Sequence, residues 1–507
     1  MARLSHWEWG ETIRELFGVE GLSISLASDP LNGKAFDNNQ AVLRVGPSLW
    51  RDYQIAAETL AERVTSDPTL LARLAPVDAS RTADESATAF IETFGLRVFR
   101  RPLLASEVTA RRALFAQGQA LYPELDPFVA GVRLCLESFL QSPYFIYRIE
   151  THEASDDSGK GGVSDWQIAS RLSYAIWHSM PDQELYRAAE AGELSAAGGM
   201  HHQIERMLDG PRTAASVERF FEQLYDADQY PHIQKSQAKY PDFSPEVARD
   251  MHVEFRKFTD NVYQLGGGLR ELLTSTTTFV TPRLAAIYGL DTATLPAPDA
   301  DGFSRFELDA AQRSGLLTLS GFLAWKGTDS QPNTIQRGVF VTRRILCQPL
   351  GNPPPEAQSA TFGSQTTNRS RIEALTGPGT CGAGCHGQYI NPAGFAFEHF
   401  GALGEYRTDD EGSPIDASAT FEFEEGPASY IGASQFSQLL GGSLQAHACF
   451  SSYLLEYVRG REGGPEDAAV VENLAHRSLG GASIRELLAE AVVNATTGAE
   501  LTAGVEQ

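Results

Sequence analysis

Apolar positions along this chain recur mostly at helical spacing. Trp7, Ile13, Leu16 and Phe17 open the pattern, and beyond a loop rich in Gly, Pro, Asn and Asp at residues 28–38 a second stripe runs through Ala56, Ala57, Leu60 and Val64. Residues 83–150 read as two or three helices. Phe94, Val98 and Phe99 precede Pro102, which ends the first; Ser106 is placed to cap the next; residues 128–139 are amphipathic. Residues 151–163 are polar and glycine-rich and read as a linker or exposed loop. Ser164 with Gln167 forms a capping box for a helix whose buried stripe is Ile168, Leu172 and Ile176, broken before Pro181. Further helices are expected near 182–192, 198–209 and 212–226, then from Ser244-Pro245 with Val247, Met251, Phe255, Phe258 and Val262 as the apolar face. After a second polar break at 291–302 come a helix near 334–346, the run Pro353-Pro354-Pro355 and one alternating stretch, 420–424, that reads as a strand. The tail is helical again through Phe450, Leu454, Leu455 and Val458, then Ile484, Leu487, Leu488 and Val492. The expected fold class is mainly α, in several modules.

Length and composition narrow this reading. A chain of 507 residues holds about three domains by size alone. Its net charge of −24 argues against nucleic acid as a partner, because a phosphate backbone needs a basic surface. The same charge argues against docking on anionic lipid, while a neutral or cationic partner fits. No run of eighteen apolar residues occurs, so no transmembrane segment is expected. No signal peptide is visible, so the chain is either a cytosolic protein or the mature form of an exported one. Five cysteines are too few for a disulfide scaffold.

Two of those cysteines carry the most specific chemistry, in Cys381-Gly382-Ala383-Gly384-Cys385-His386. Two thiols followed by an imidazole suit covalent haem attachment: each thiol adds to a vinyl group, and the histidine becomes the axial ligand. The usual spacing puts two residues between the thiols, and here there are three. A disulfide, two free thiols beside a surface histidine, and a metal site are the other readings. Zinc needs four ligands, and the neighbourhood offers three. Elsewhere Tyr144, Tyr147, Arg148, Arg171, Tyr174 and Trp177 could line a pocket, but their spacing reads as packing and buried ion pairs. His201-His202 reads as a solvated helix face. No phosphate loop and no nucleophile elbow with its partners is present.

Taken together, these segments resemble the planctomycete cytochrome c-type multidomain proteins, in which several domains of unknown function surround a cytochrome c-like module. The resemblance rests on Arg3 to Val19 with Phe36-Asp37-Asn38, on Phe99-Arg100-Arg101-Pro102-Leu103, and on Ser142 to Arg148, Arg171 to Trp177 and Ser179-Met180-Pro181-Asp182. It continues through Arg313 to Leu317, Arg337-Gly338, Leu346-Cys347 and Pro353-Pro354-Pro355, then the Cys381 to His386 cluster, Asn391 to Glu398 and Gly404 to Arg407. The chain departs from the family pattern in its cysteine spacing and in having Asn391 and Gly401 where the family usually has Asp. The resemblance implies helical modules at 3–66, 83–150 and 164–290, a cytochrome c-like module at 310–410 and a helical C-terminal module at 411–500.

It also implies one covalent haem c per chain, attached through Cys381 and Cys385 with His386 as axial ligand. For the second iron ligand the chain has no methionine after Met251. Met180, on a turn that Pro181 is expected to expose, is the first candidate, ahead of His399 and His447, with His476 also downstream. A filled sixth position suits electron transfer, and a vacant one suits small-ligand or peroxide chemistry. Cys347 and Cys449 flank the cytochrome-like module and can pair in an exported protein, a closure worth about 4–5 kcal/mol in the chain-entropy model. Cys135 reads as a buried free thiol. The expectation is a periplasmic or extracellular haem c protein that transfers electrons or serves as redox partner of another envelope enzyme. The alternatives are a haem-dependent oxidoreductase with an open iron site, and a haem-free structural or binding protein of the envelope.

Overall fold

The computed structural model describes residues 2–18, 26, 29–31, 33–76, 80–149, 163–351, 365–377, 379–380 and 382–497. The chain is mainly α, with short antiparallel strand pairs. It forms two compact units: Met1–Ser216 with Glu456–Glu462 and Val492–Gln507, and Val217–Leu455 with Gly463–Ala491. One boundary between the units falls after Ser216.

In the first unit, strand Ala2–Arg3 pairs with Tyr147–Arg148, and helices His6–Phe17, Pro47–Ser66, Ala83–Phe99 and Pro127–Leu140 bury one cluster that includes Trp9, Phe17, Tyr53, Leu60, Phe94 and Phe139. Local signals set the helix starts. Ser5 with Glu8 and Thr82 with Glu85 make capping boxes, and Pro47 and Pro127 occupy first-turn positions where no N–H is needed. Ser164 and Gln167 form the expected box for helix Asp165–Ile176. Ser106 does not cap; helix Ala105–Leu121 starts at Leu104, whose backbone N–H donates to the Glu107 carboxylate at 2.8 Å. Helices Ala105–Leu121 and Pro127–Leu140 meet at two glycines: a Cβ on Gly118 would lie 2.5 Å from the Ala130 carbonyl, and one on Gly131 2.4 Å from the Phe115 ring.

Helix Ala83–Phe99 ends at Arg100, in the left-handed region at φ 59°. The buried Arg100 guanidinium donates to the carbonyls of Tyr144 (2.6 Å), Phe145 (3.2 Å) and Tyr147 (2.8 Å). These carbonyls close the short helix Pro143–Ile146, whose own residues cannot satisfy them.

The second unit is built on helix Pro245–Gln264, which buries Val247, Met251, Phe255, Phe258 and Val262. The polar break at 291–302 leads into strand Ser304–Glu307, paired with Thr277–Val280. The expected strand at 420–424 is half of a hairpin, Ser418–Phe423 with Gly426–Ile431. Helix Thr334–Phe340 runs into a π-turn, Val341–Ile345, and Cys347 beyond it is disulfide-bonded to Cys449. Pro353-Pro354-Pro355 lies outside the described residues.

Inside this unit Glu254 is fully buried. Its Oε1 accepts from Thr278 Oγ1 (2.6 Å) and Tyr288 Oη (2.5 Å), and its Oε2 accepts from Ser320 Oγ (2.9 Å). Burial pushes its carboxyl up to about 7, against the three hydroxyl donors, which pull it down. The folded state thus holds this proton more tightly than the unfolded chain, where the group titrates near 4.5. Stability must then fall as pH rises from about 4.5 to about 7, by about 3 kcal/mol at most. Denaturant unfolding of the wild type and of Glu254→Gln across that window tests this. The wild type should lose its advantage over the variant as pH rises, and a constant difference would contradict the assignment.

Candidate functional site

The fully buried side chain of Arg337 sets the scaffold around His386. Its Nη1 donates to the carbonyls of Phe397 (3.2 Å) and Phe400 (2.8 Å), and its Nη2 to those of Leu323 (2.9 Å) and Gly401 (2.6 Å). Helix Thr334–Phe340, which carries Arg337, crosses helix Asn391–Phe395 in near backbone contact. A Cβ on Gly338 would lie 2.0 Å from the Ile390 carbonyl oxygen, and one on Gly394 2.3 Å from that of Thr334. Alongside, buried Glu398 accepts from Thr334 Oγ1 (2.6 Å) and Asn368 Nδ2 (2.9 Å), which fixes the start of helix Asn368–Thr376. Burial raises the Glu398 carboxyl, partly offset by those donors and by Arg407 and Arg337.

His386 opens a π-turn, His386–Ile390, immediately before helix Asn391–Phe395. In a π-turn residues five apart align, whereas in an α-helix residues three and four apart do. The side chains of His386 and Asn391 therefore meet, with Nδ1 of the histidine 3.3 Å from Oδ1 of the asparagine. Asn391 Nδ2 donates to Thr376 Oγ1 (2.9 Å), and Thr376 Oγ1 donates to the Ile372 carbonyl (2.6 Å). Each acceptor in this chain fixes the next donor, so Nδ1 carries the imidazole proton and Nε2 keeps its lone pair. Burial lowers the His386 pKa from its ordinary value, and the Asn391 bond opposes that shift. The half-buried ring lies close over the loop: a Cβ on Gly382 would be 3.3 Å from its Cδ2. The Cys385 thiol beside it is exposed and unpaired. Cys381 lies outside the described residues.

The other candidate ligands fall elsewhere. Met180 does not project from an exposed bend. Helix Asp165–Ile176 stops well before Pro181, His178 takes φ 49°, and Met180 turns back into the first unit's core with Tyr174 and Tyr186, only 3% exposed. That is a packing role, and it corrects the expectation of an exposed thioether. His447 is buried with both ring nitrogens engaged, Nδ1 with Ser478 Oγ (2.6 Å) and Nε2 with the Gly441 carbonyl (3.1 Å). His399 Nδ1 donates to the Arg407 carbonyl (2.9 Å), and its ring stacks on Tyr406. His476, His201 and His202 are exposed, and Cys135 is a buried free thiol. Tyr174 and Trp177 pack in the core, whereas Tyr144, Arg148 and Arg171 line a cavity in the first unit. Among the described residues no three His, Cys, Asp or Glu side chains gather to hold a metal ion, and no helix is long and apolar enough to cross a membrane. Haem does not need such a cluster, because its macrocycle supplies four of the iron's ligands. A nitrogen lone pair presented beside a free thiol fits the axial position and one thioether of a haem c.

Four family models match the chain, each described as a protein of unknown function: DUF1587 over residues 2–66, DUF1595 over 86–150, DUF1592 over 163–290 and DUF1588, named PSCyt3, over 313–410. The chain has the multidomain arrangement of the planctomycete-type proteins. The PSCyt3 match spans Arg337, the π-turn and the cysteine–histidine cluster. No curated protein matches the chain, and no solved structure does.

The relay to His386 is open to direct measurement. Asn391→Ala removes the acceptor that favours the protonated ring, so the His386 pKa should fall further below 6.5. In the haem-free protein the neutral ring should also lose its preference for a proton on Nδ1. Long-range proton–nitrogen NMR of the imidazole reads both quantities. An unchanged pKa together with an unchanged tautomer would contradict the relay.

Proposed function

We infer that this protein is an exported haem c-binding protein that carries electrons, serving as redox partner of another envelope enzyme. One observation carries this reading: the chain from Ile372 through Thr376 and Asn391 holds His386 with its Nε2 lone pair free, next to the exposed Cys385 thiol. A metal-ligating histidine is commonly oriented in this way, by a hydrogen bond from its other ring nitrogen. The name of the PSCyt3 family model agrees with it. So does the Cys347–Cys449 disulfide, a bond that persists in oxidising compartments, where covalent haem attachment also takes place. In this reading Cys381 and Cys385 would hold one haem through thioethers, and His386 would be a ligand to its iron. The group supplies one-electron chemistry when bound. The residues of the chain orient the imidazole, keep its second nitrogen protonated and set how much water reaches it.

A second reading, an oxidoreductase with an open iron position, is favoured by the engagement of both His447 nitrogens and the burial of Met180 in the first unit's core. Expression with haem-attachment machinery tests both readings. The wild type should keep a haem stain through denaturing electrophoresis, and Cys381→Ala/Cys385→Ala should lose it. A stain that survives in the double variant overturns the attachment. Carbon monoxide added to the reduced wild type should leave the spectrum of an electron carrier unchanged and shift that of an open site.

A further inference from the structure

The first unit contains a cavity of about 440 Å³ whose walls include Phe99, Arg101, Tyr144, Arg148, Trp166 and Arg171. Its size lies within the range of small-molecule sites. Its charge runs against that of the chain. Four of its described lining residues are arginines and none is acidic, in a protein with 65 acidic and 41 basic residues.

The four arginines differ in what they leave available. Arg101 is neutralised by a two-pronged bond to Glu107, at 2.9 Å on each prong, and its guanidinium lies over the Tyr144 ring at 5.0 Å. Arg100 spends its donors on the carbonyls of Tyr144, Phe145 and Tyr147, but its charge meets no carboxylate among the described residues. Arg171 Nη1 donates to the Thr496 carbonyl at 3.1 Å. Arg148 lies over the Tyr174 ring at 5.1 Å, has no carboxylate partner among the described residues, and its buried Nε meets no acceptor. Aromatic rings make up much of the remaining lining: Phe99 packs against Tyr144 at 5.2 Å, and Trp166 is steadied by Tyr186 at 6.2 Å. The clamp of Arg100 on 144–147 and the capped helix start at Ser164 hold these walls in place before any ligand arrives.

We propose that this cavity binds an organic anion with a flat apolar body, of the aromatic carboxylate class, with Arg148 meeting the carboxylate and Trp166, Tyr144 and Phe99 receiving the ring. A guanidinium pairs with a carboxylate in a planar fork, and partial burial strengthens that bond. The cavity belongs to the first unit, and the cysteine–histidine cluster belongs to the second.

Calorimetric titration of the full chain with naphthalene-2-carboxylate tests this, with the uncharged naphthalene-2-methanol as comparison. The carboxylate should bind saturably at one site, and the alcohol at least about tenfold more weakly, as expected for loss of a charged hydrogen bond. Arg148→Gln should weaken the carboxylate by at least about tenfold. Ser170→Trp fills the cavity from helix Asp165–Ile176 without removing a cation, and should abolish binding even if the arginine variant does not fold. No saturable binding of the carboxylate, equal binding of the alcohol, or undiminished binding by Ser170→Trp would overturn the proposal.

Discussion

A buried guanidinium that binds backbone carbonyls in place of a carboxylate is the interaction on which the second unit's site depends. Arg337 is fully buried, and all four N–H groups of its two terminal nitrogens reach main-chain oxygens, three of them between residues 397 and 401. Burying an isolated charge is costly, and the cost is offset only where the donors are met. Burial lowers the Arg337 pKa to about 10, so the group stays charged at neutral pH. Three of its four carbonyls belong to chain that turns after helix Asn391–Phe395, outside any helical ladder. Arg313 repeats the device, reaching the carbonyls of Thr318 (2.7 Å) and Gly404 (2.6 Å) between the faces of Tyr288 and Phe400. In the first unit Arg100 does the same for residues 144–147.

From this fixed frame the geometry of His386 follows. Arg337 holds the turn after helix Asn391–Phe395, the glycine contacts at Gly338 and Gly394 bring that helix against its neighbour, and the π-turn brings Asn391 under the imidazole. Asn391 offers His386 a neutral acceptor, and its amide can also donate to Thr376, so the whole relay is satisfied without a charge. The amide thus fixes the tautomer by hydrogen bonding alone.

Much of the fold is legible in the sequence, because caps and apolar stripes act locally. The Ser164–Gln167 box and the Ser244-Pro245 start appear where their residues predict them. The arginines are legible only as charges. A carboxylate partner can be sought in the sequence, but a carbonyl is present at every residue and its direction is set by the fold. The pairing of His386 with Asn391 is hidden for a related reason: five-residue spacing has no place in an α-helical pattern, and nothing local announces a π-turn. Met180 departs from expectation because Pro181 is not what ends the helix. The helix has already stopped at Ile176, and the intervening residues carry the thioether into the core. The cavity of the first unit joins three separate segments, so spacing along any one helix shows Arg148 and Arg171 only as packing positions.

The central claim is that the thiols and imidazole of residues 381–386 hold a covalent haem on this scaffold. The mass of the intact, denatured chain, purified from cells that possess haem-attachment machinery, tests it most directly. The account predicts a chain heavier than the polypeptide by the mass of one haem, with the added mass on the peptide that contains Cys385 and His386. A chain at the bare polypeptide mass from the same cells would contradict it.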